Sequence, residues 1–187
     1  MNQIKIVVIV GSLRSASLNW KLANSLELLA PAHFILDQLN IGDLPLYDQD
    51  DDDDPGHEVE KMKSEIRQAD GLIFVTPEYN RSIPGVLKNA IDHGSRPYGK
   101  SVWAHKPAGI LGISPGSTGT AMAQQHLRNI LAYLDVPVMA QPEAFIQDKP
   151  GMFDDDDHLS AESLPFVQSW MDHYVRWLKI QNRPLEG

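Results

Sequence analysis

Ile4-Lys5-Ile6-Val7-Val8-Ile9-Val10 is an apolar, β-branched run broken by one lysine, and Gly11-Ser12-Leu13-Arg14-Ser15-Ala16-Ser17-Leu18-Asn19 follows it directly. A continuous apolar run, rather than an alternating one, is what a strand covered on both faces requires. Glycine and hydroxyl residues end the run, and Leu18, Leu22, Leu26 and Leu29 then recur at helical spacing. The stretch therefore predicts a buried strand, a tight polar turn and a helix. The same unit repeats outward along the chain. Apolar runs at Gly71 to Thr76 and Ala108 to Ser114, with weaker ones near Phe34 to Leu36 and Val136 to Met139, alternate with helix-period segments. Those segments carry Val59, Met62 and Ile66, then Val86, Leu87, Ala90 and Ile91, then Leu127, Ile130, Leu131 and Leu134. A last one, from Leu164 to Leu178, brings Trp170, Tyr174 and Trp177 to helical spacing, as core or subunit contact. Strand and helix in alternation predict an α/β fold, a three-layer sandwich around a five-stranded parallel sheet.

The 187 residues, 42% of them hydrophobic, suffice for one domain over 1–187 with its own core. Lys and Arg number 16 against 25 Asp and Glu, a formal charge of −9 that opposes binding to nucleic acid or an anionic membrane surface. The five carboxylates of Asp50 to Asp54 and the four of Asp154 to Asp157 match that excess, so the remainder is balanced. Both runs read as solvated loops, without the alternating ligands and glycine turn of a calcium loop. The chain has no cysteine, which excludes disulfides, thiolate metal sites and cysteine nucleophiles and leaves any redox work to a bound cofactor. The opening strand is too short for a membrane helix and lacks a small-residue cleavage site, so a cytoplasmic protein is expected.

Ligands of open α/β sheets sit at the carboxyl ends of the strands. The turn from Gly11 to Asn19 offers free backbone N–H groups and the positive end of a helix dipole, with Ser12, Ser15, Ser17 and Asn19 as short donors and Arg14 as a forked cation. That chemistry suits a terminal phosphate dianion, although a capped turn with Ser17 as N-cap would look similar. Neither G-x-G-x-x-G nor G-K-[ST] is present, which disfavours a dinucleotide or triphosphate held there. The third strand ends in Thr76-Pro77-Glu78-Tyr79-Asn80-Arg81-Ser82-Ile83-Pro84-Gly85, a proline-stiffened loop whose aromatic side chain, flanked by amide and carboxylate groups, suits the rim of a planar heterocycle, with backbone N–H groups free to meet it. Gly112-Ile113-Ser114-Pro115-Gly116 formally matches the G-x-S-x-G nucleophile elbow, but Pro115 lacks the N–H that an oxyanion hole needs. Ser114, Gly116 and Ser117, with Thr118 and Gly119, read instead as a flexible polar loop against the ligand. The seven histidines show no metal-ligand spacing, and His126 and Arg128 lie where they could approach the ligand.

The pair Gly-Ser-Leu-Arg-x-x-Ser-x-Asn and Pro-Glu-Tyr-Asn-x-Ser-x-Pro-Gly-x-Leu-Lys-Asn-Ala-Ile-Asp resembles the NAD(P)H-dependent FMN reductase family, over about Ile4 to Met139. The resemblance implies a flavodoxin-like fold with strand order 2-1-3-4-5 and non-covalent FMN. It also implies NAD(P)H as co-substrate, a small acceptor (quinone, azo compound, chromate or free flavin) and a homodimer or homotetramer. It places FMN-binding residues at Ser12, Arg14, Ser17 and Asn19, at Pro77, Glu78, Tyr79, Asn80 and Ser82, and at Ser114, Gly116 and Ser117. No side chain need act covalently. Trp20 and the Asp-rich insert after Tyr47 depart from the family pattern, and the region after Met139 does not match it clearly. Two other functions fit parts of the sequence. A flavodoxin-like single-electron carrier would bind FMN without using NAD(P)H, and a serine hydrolase would be colourless and depend on Ser114.

Overall fold

The computed structural model describes residues 3–183. Five parallel strands, β1 (Ile4–Val10), β2 (Phe34–Leu39), β3 (Gly71–Val75), β4 (Ala108–Ser114) and β5 (Phe145–Gln147), form one sheet in the order β2-β1-β3-β4-β5. The order is the expected one. Helices α1 (Leu18–Leu29) and α5 (Leu164–Gln181) cover one face, and α2 (His57–Gln68), α3 (Gly85–Gly94) and α4 (Ala121–Tyr133) cover the other. The period-two geometry of a strand divides β1 between them: Ile6, Val8 and Val10 pack with α1 and α5, Val7 and Ile9 with the other three.

The C-terminal aromatics are core. Trp170 and Tyr174 stack with ring centroids 5.6 Å apart and lie flat on the sheet, where a Cβ on Gly109 would come within 2.9 Å of both. The Tyr174 hydroxyl donates to Leu72 O at 3.0 Å, and complete burial pushes its ionisation well above the ordinary range.

The fifth strand is displaced from its expected position. Val136 to Met139 contributes one bridge, Ala108 to Val138, and the ladder resumes only at Phe145, paired with Gly112. Pro137 and Pro142 bracket the interruption, and a residue without an N–H cannot carry a continuous ladder.

The two acidic loops stay solvent-facing yet are folded. Asp154 accepts from the N–H groups of Asp156 and His158 at 3.0 and 2.9 Å, closing a turn that Lys21 pairs with through Asp157 and that buried Leu159 anchors against Ser25. Before the other run, Asn89 clamps the backbone by donating to Pro45 O at 2.7 Å and accepting from Tyr47 N at 2.8 Å. The loop lies along α3.

Candidate functional site

The turn after β1 is held open as a donor surface. Ser17 caps α1, its Oγ accepting from Asn19 N at 3.2 Å, and the Trp20 indole donates to Ser12 O at 2.8 Å, drawing that carbonyl away from the loop's mouth. Among the described residues, the N–H groups of Leu13, Ser15, Ala16, Ser17 and Leu18 have no hydrogen-bond partner, and Arg14 enters no ion pair. Ser12 and Ser17 are buried beneath this fan while Arg14 and Ser15 are exposed above it. Unpartnered donors, a helix N-terminus and a cation, with no carboxylate in the turn, form a donor set for an anion. Asn19 departs from the expectation of a donor facing the ligand: its Nδ2 donates to Ile113 O at 2.9 Å and its Oδ1 accepts from Ile113 N at 3.1 Å.

The loop after β3 is a tight hairpin. Tyr79 and Ser82 exchange N–H···O bonds of 3.0 Å in each direction, and Asn80 and Arg81 between them take φ values of 53° and 62°. Two successive positive φ values define a type I′ turn, natural for asparagine and strained for arginine. The N–H groups of Glu78, Asn80 and Arg81 are unpartnered among the described residues, and Tyr79 stands 47% exposed above buried Pro77. Glu78 was expected to meet the ligand with its side chain. Instead its carboxylate accepts from Met122 N and Ala123 N at 2.9 and 3.1 Å, capping α4 from 44 residues upstream in the chain. His126, on that helix, meets Ser82 Oγ at 3.0 Å.

The loop after β4 is closed rather than flexible. The Ser114 hydroxyl donates to Gly119 O, Gly119 N donates to Gly116 O at 3.0 Å, and Gly119 packs on the backbone of Phe145 at a φ of 59°. A serine whose hydroxyl is already engaged as a donor to a backbone carbonyl, followed by a proline, does not make a nucleophile elbow. Gly116 and Ser117 remain exposed at the loop's crest. Contacts at their roots join the three loops: a Cβ on Gly11 would sit 3.2 Å from Thr76 Oγ1, and one on Gly112 would sit 2.1 Å from Thr76 O and 2.4 Å from Thr120 Oγ1. Thr120 and Met122 had no motif to announce them; they emerge from packing.

The loops bound an open surface. A hollow of about 430 Å³ lies beside β5, and one of about 470 Å³ lies between the C-terminal halves of α3 and α4, away from the loops. The donor chemistry, and not the depth of a cavity, marks the site.

The profile of the family described as NADPH-dependent FMN reductase matches residues 4–151. The chain belongs to that family. Against a 2-hydroxy-1,4-benzoquinone reductase of a Burkholderia species, this FMN reductase family member is 49% identical over 94% of its own length and 97% of the relative's. It is 44% identical to a quinone reductase of Pseudomonas putida over 96% of this chain and 98% of the other. The solved structure of FerB, a flavoenzyme NAD(P)H:(acceptor) oxidoreductase from Paracoccus denitrificans, superposes with a TM-score of 0.91 at 41% identity, covering 95% and 98% of the two chains. The likeness extends through the C-terminal region that motif matching left unassigned. The fold is flavodoxin-like and the protein is an FMN-dependent oxidoreductase. The residues present fit the cofactor: a monoanionic or dianionic phosphate finds five unpartnered N–H groups and Arg14, and a heterocycle finds the free N–H groups of the hairpin. Among the described residues no helix is long and apolar enough to cross a membrane.

Proposed function

We propose that the protein holds FMN across the three loops without a covalent bond and reduces quinones with NAD(P)H. When bound, the flavin supplies the two-electron chemistry, accepting a hydride equivalent and passing it to a second small molecule. The protein's share is binding and orientation. Arg14 and the loop N–H groups neutralise the phosphate, with the Ser12 and Ser17 hydroxyls beneath them. The backbone of Pro77 to Asn80 orients the ring edge, and Ser114, Gly116 and Ser117 border its far side. Tyr79 excludes water from one flank. The observation that carries the reading is the fan of unpartnered N–H groups under an unpaired Arg14, beside a hairpin with free N–H groups of its own. A quinone acceptor is favoured by the relatives' names over azo compounds, chromate or free flavin.

The test is to reconstitute purified protein with FMN, bleach it anaerobically with NADH or NADPH, and reoxidise it with a benzoquinone. Stoichiometric bleaching followed by quinone-dependent recovery is expected. A protein that binds FMN but is not bleached by either nucleotide would be an electron carrier.

The working form on this reading is a homodimer or homotetramer in the cytoplasm, where NAD(P)H is supplied. An open flavin face needs a wall that excludes water, and a neighbouring subunit packed on the outward faces of α3 and α4 would supply it. Sedimentation at catalytic concentration distinguishes this from an active monomer.

A further inference from the structure

Parallel strands present their hydrogen-bonding groups alternately to the two neighbours. At the end of β4, Gly112 and Ser114 turn toward β5, Gly112 N reaching Ala144 O at 3.3 Å and Ser114 O accepting from Asp148 N at 2.9 Å. Leu111 and Ile113 turn toward β3. Leu111 O is satisfied by Thr76 N at 3.1 Å, and there the β3 ladder stops, because the chain leaves the sheet at Pro77 before Glu78 N can reach Ile113 O. Ile113 is thereby left with a buried donor and a buried acceptor and no strand beside it. The Asn19 carboxamide fills the gap, donating to Ile113 O at 2.9 Å and accepting from Ile113 N at 3.1 Å, with Asn19 itself buried.

We infer that Asn19 is a positioning residue for FMN rather than a ligand to it: its carboxamide takes the place of the missing β3 peptide and locks the first turn of α1 to the end of β4. The inference rests on the FMN reading above for its consequence, though not for its geometry. Only a carboxamide offers one donor and one acceptor at peptide spacing; a carboxylate cannot donate, a hydroxyl reaches one partner, and glutamine is a methylene too long. The clasp fixes the phosphate loop, through the Ser17 cap on Asn19 N, relative to Ser114 and the loop it closes with Gly119. Two of the three loops become one rigid body at the place where β3 has withdrawn and room for a ligand opens. A phosphate ligand would have kept its amide pointed outward. Here one amide hydrogen and the amide oxygen are both committed to Ile113 before any cofactor arrives.

The test reads the clasp in FMN-free protein. Amide exchange at Ile113 is measured in wild type, Asn19→Ala and Arg14→Ala. Protection at Ile113 should fall about tenfold or more in Asn19→Ala, for the loss of a buried bond, and stay unchanged in Arg14→Ala. FMN affinity should fall in both. Unchanged protection of Ile113 in Asn19→Ala overturns the inference. Should that variant fail to fold, wild-type NMR decides: slow-exchanging Asn19 carboxamide protons with a through-bond coupling to the Ile113 carbonyl are expected, and carboxamide protons exchanging at solvent rates overturn it. Failure of the wild-type protein to bind FMN would sink the cofactor reading and leave the exchange result standing.

Discussion

Arg14 and Glu78 show how a charged residue reads differently once its partners are known. Arg14 pairs with no carboxylate among the described residues and stands over unpartnered N–H groups, so its charge is available to a phosphate. A hydrogen bond to a charged group contributes about 1.5–3 kcal/mol. Arg14→Ala should therefore weaken FMN about 10- to 150-fold in titration while leaving riboflavin, which lacks the phosphate, nearly unaffected. Glu78 is the opposite case, a carboxylate already engaged by two N–H groups of α4. Glu78→Ala should cost about 0.5–2 kcal/mol of stability in FMN-free protein, measured by urea denaturation. Unchanged stability would return the side chain to the cofactor. Sequence motifs named both residues, and Asn19 with them, but could not say which way each side chain faces. The partner of Asn19 is 94 positions away in the chain, and nothing in the spacing of a loop announces where a neighbouring strand will stop.

At the scale of elements, the strands that the sequence made legible are those with long β-branched runs. β1 and β4 coincide with Ile4 to Val10 and Ala108 to Ser114, because a strand buried on both faces has no polar positions to blur its ends. β5 was misplaced for the converse reason: three residues at a sheet edge carry no periodicity, and the pairing is split around two prolines. The hairpin after β3 was legible as a stiff loop, but its positive φ values were not, since arginine does not advertise that conformation. It supplies a test of its own. Arg81→Gly relieves a left-handed residue that costs about 1–2 kcal/mol while adding about 0.5–1 kcal/mol of chain entropy, so thermal stability should change little or rise. Arg81→Val, with a β-branched side chain at a φ of 62°, should destabilise by at least about 1 kcal/mol and weaken FMN and riboflavin alike. Equal melting temperatures for the two variants would show that the hairpin is not held in this conformation.

For the whole molecule, the aromatic layer beneath the sheet sets an alkaline limit. The Tyr174 phenol is fully buried and its ionisation is pushed upward by that burial, while in the unfolded chain it ionises near its ordinary value of about 10. Tyr47 is shifted the same way, by desolvation first and by Asp52 second. The folded state then holds the proton that the unfolded state releases. For Tyr174, stability is fully present below about pH 10 and declines above it by up to about 1.4 kcal/mol per pH unit, while solvent screening leaves half-buried Tyr47 a smaller share. Tyr174→Phe should be less stable near neutrality, because Leu72 O loses its donor, yet show a shallower decline from pH 9 to 11. An identical slope in the two proteins would place the titration elsewhere. The acidic segment near Asp52 bears on the molecule differently. Its upstream end is fastened to α3 through Asn89, and its downstream end continues into α2, whose Val59, Met62 and Ile66 are buried. Between those anchorages the backbone from Asp50 to Asp54 bonds only to its immediate neighbours. An endoproteinase that cuts at aspartate should therefore nick the chain there first. The two fragments should remain together through gel filtration and separate only in denaturant, so that the enzyme can be made, in effect, from two polypeptides.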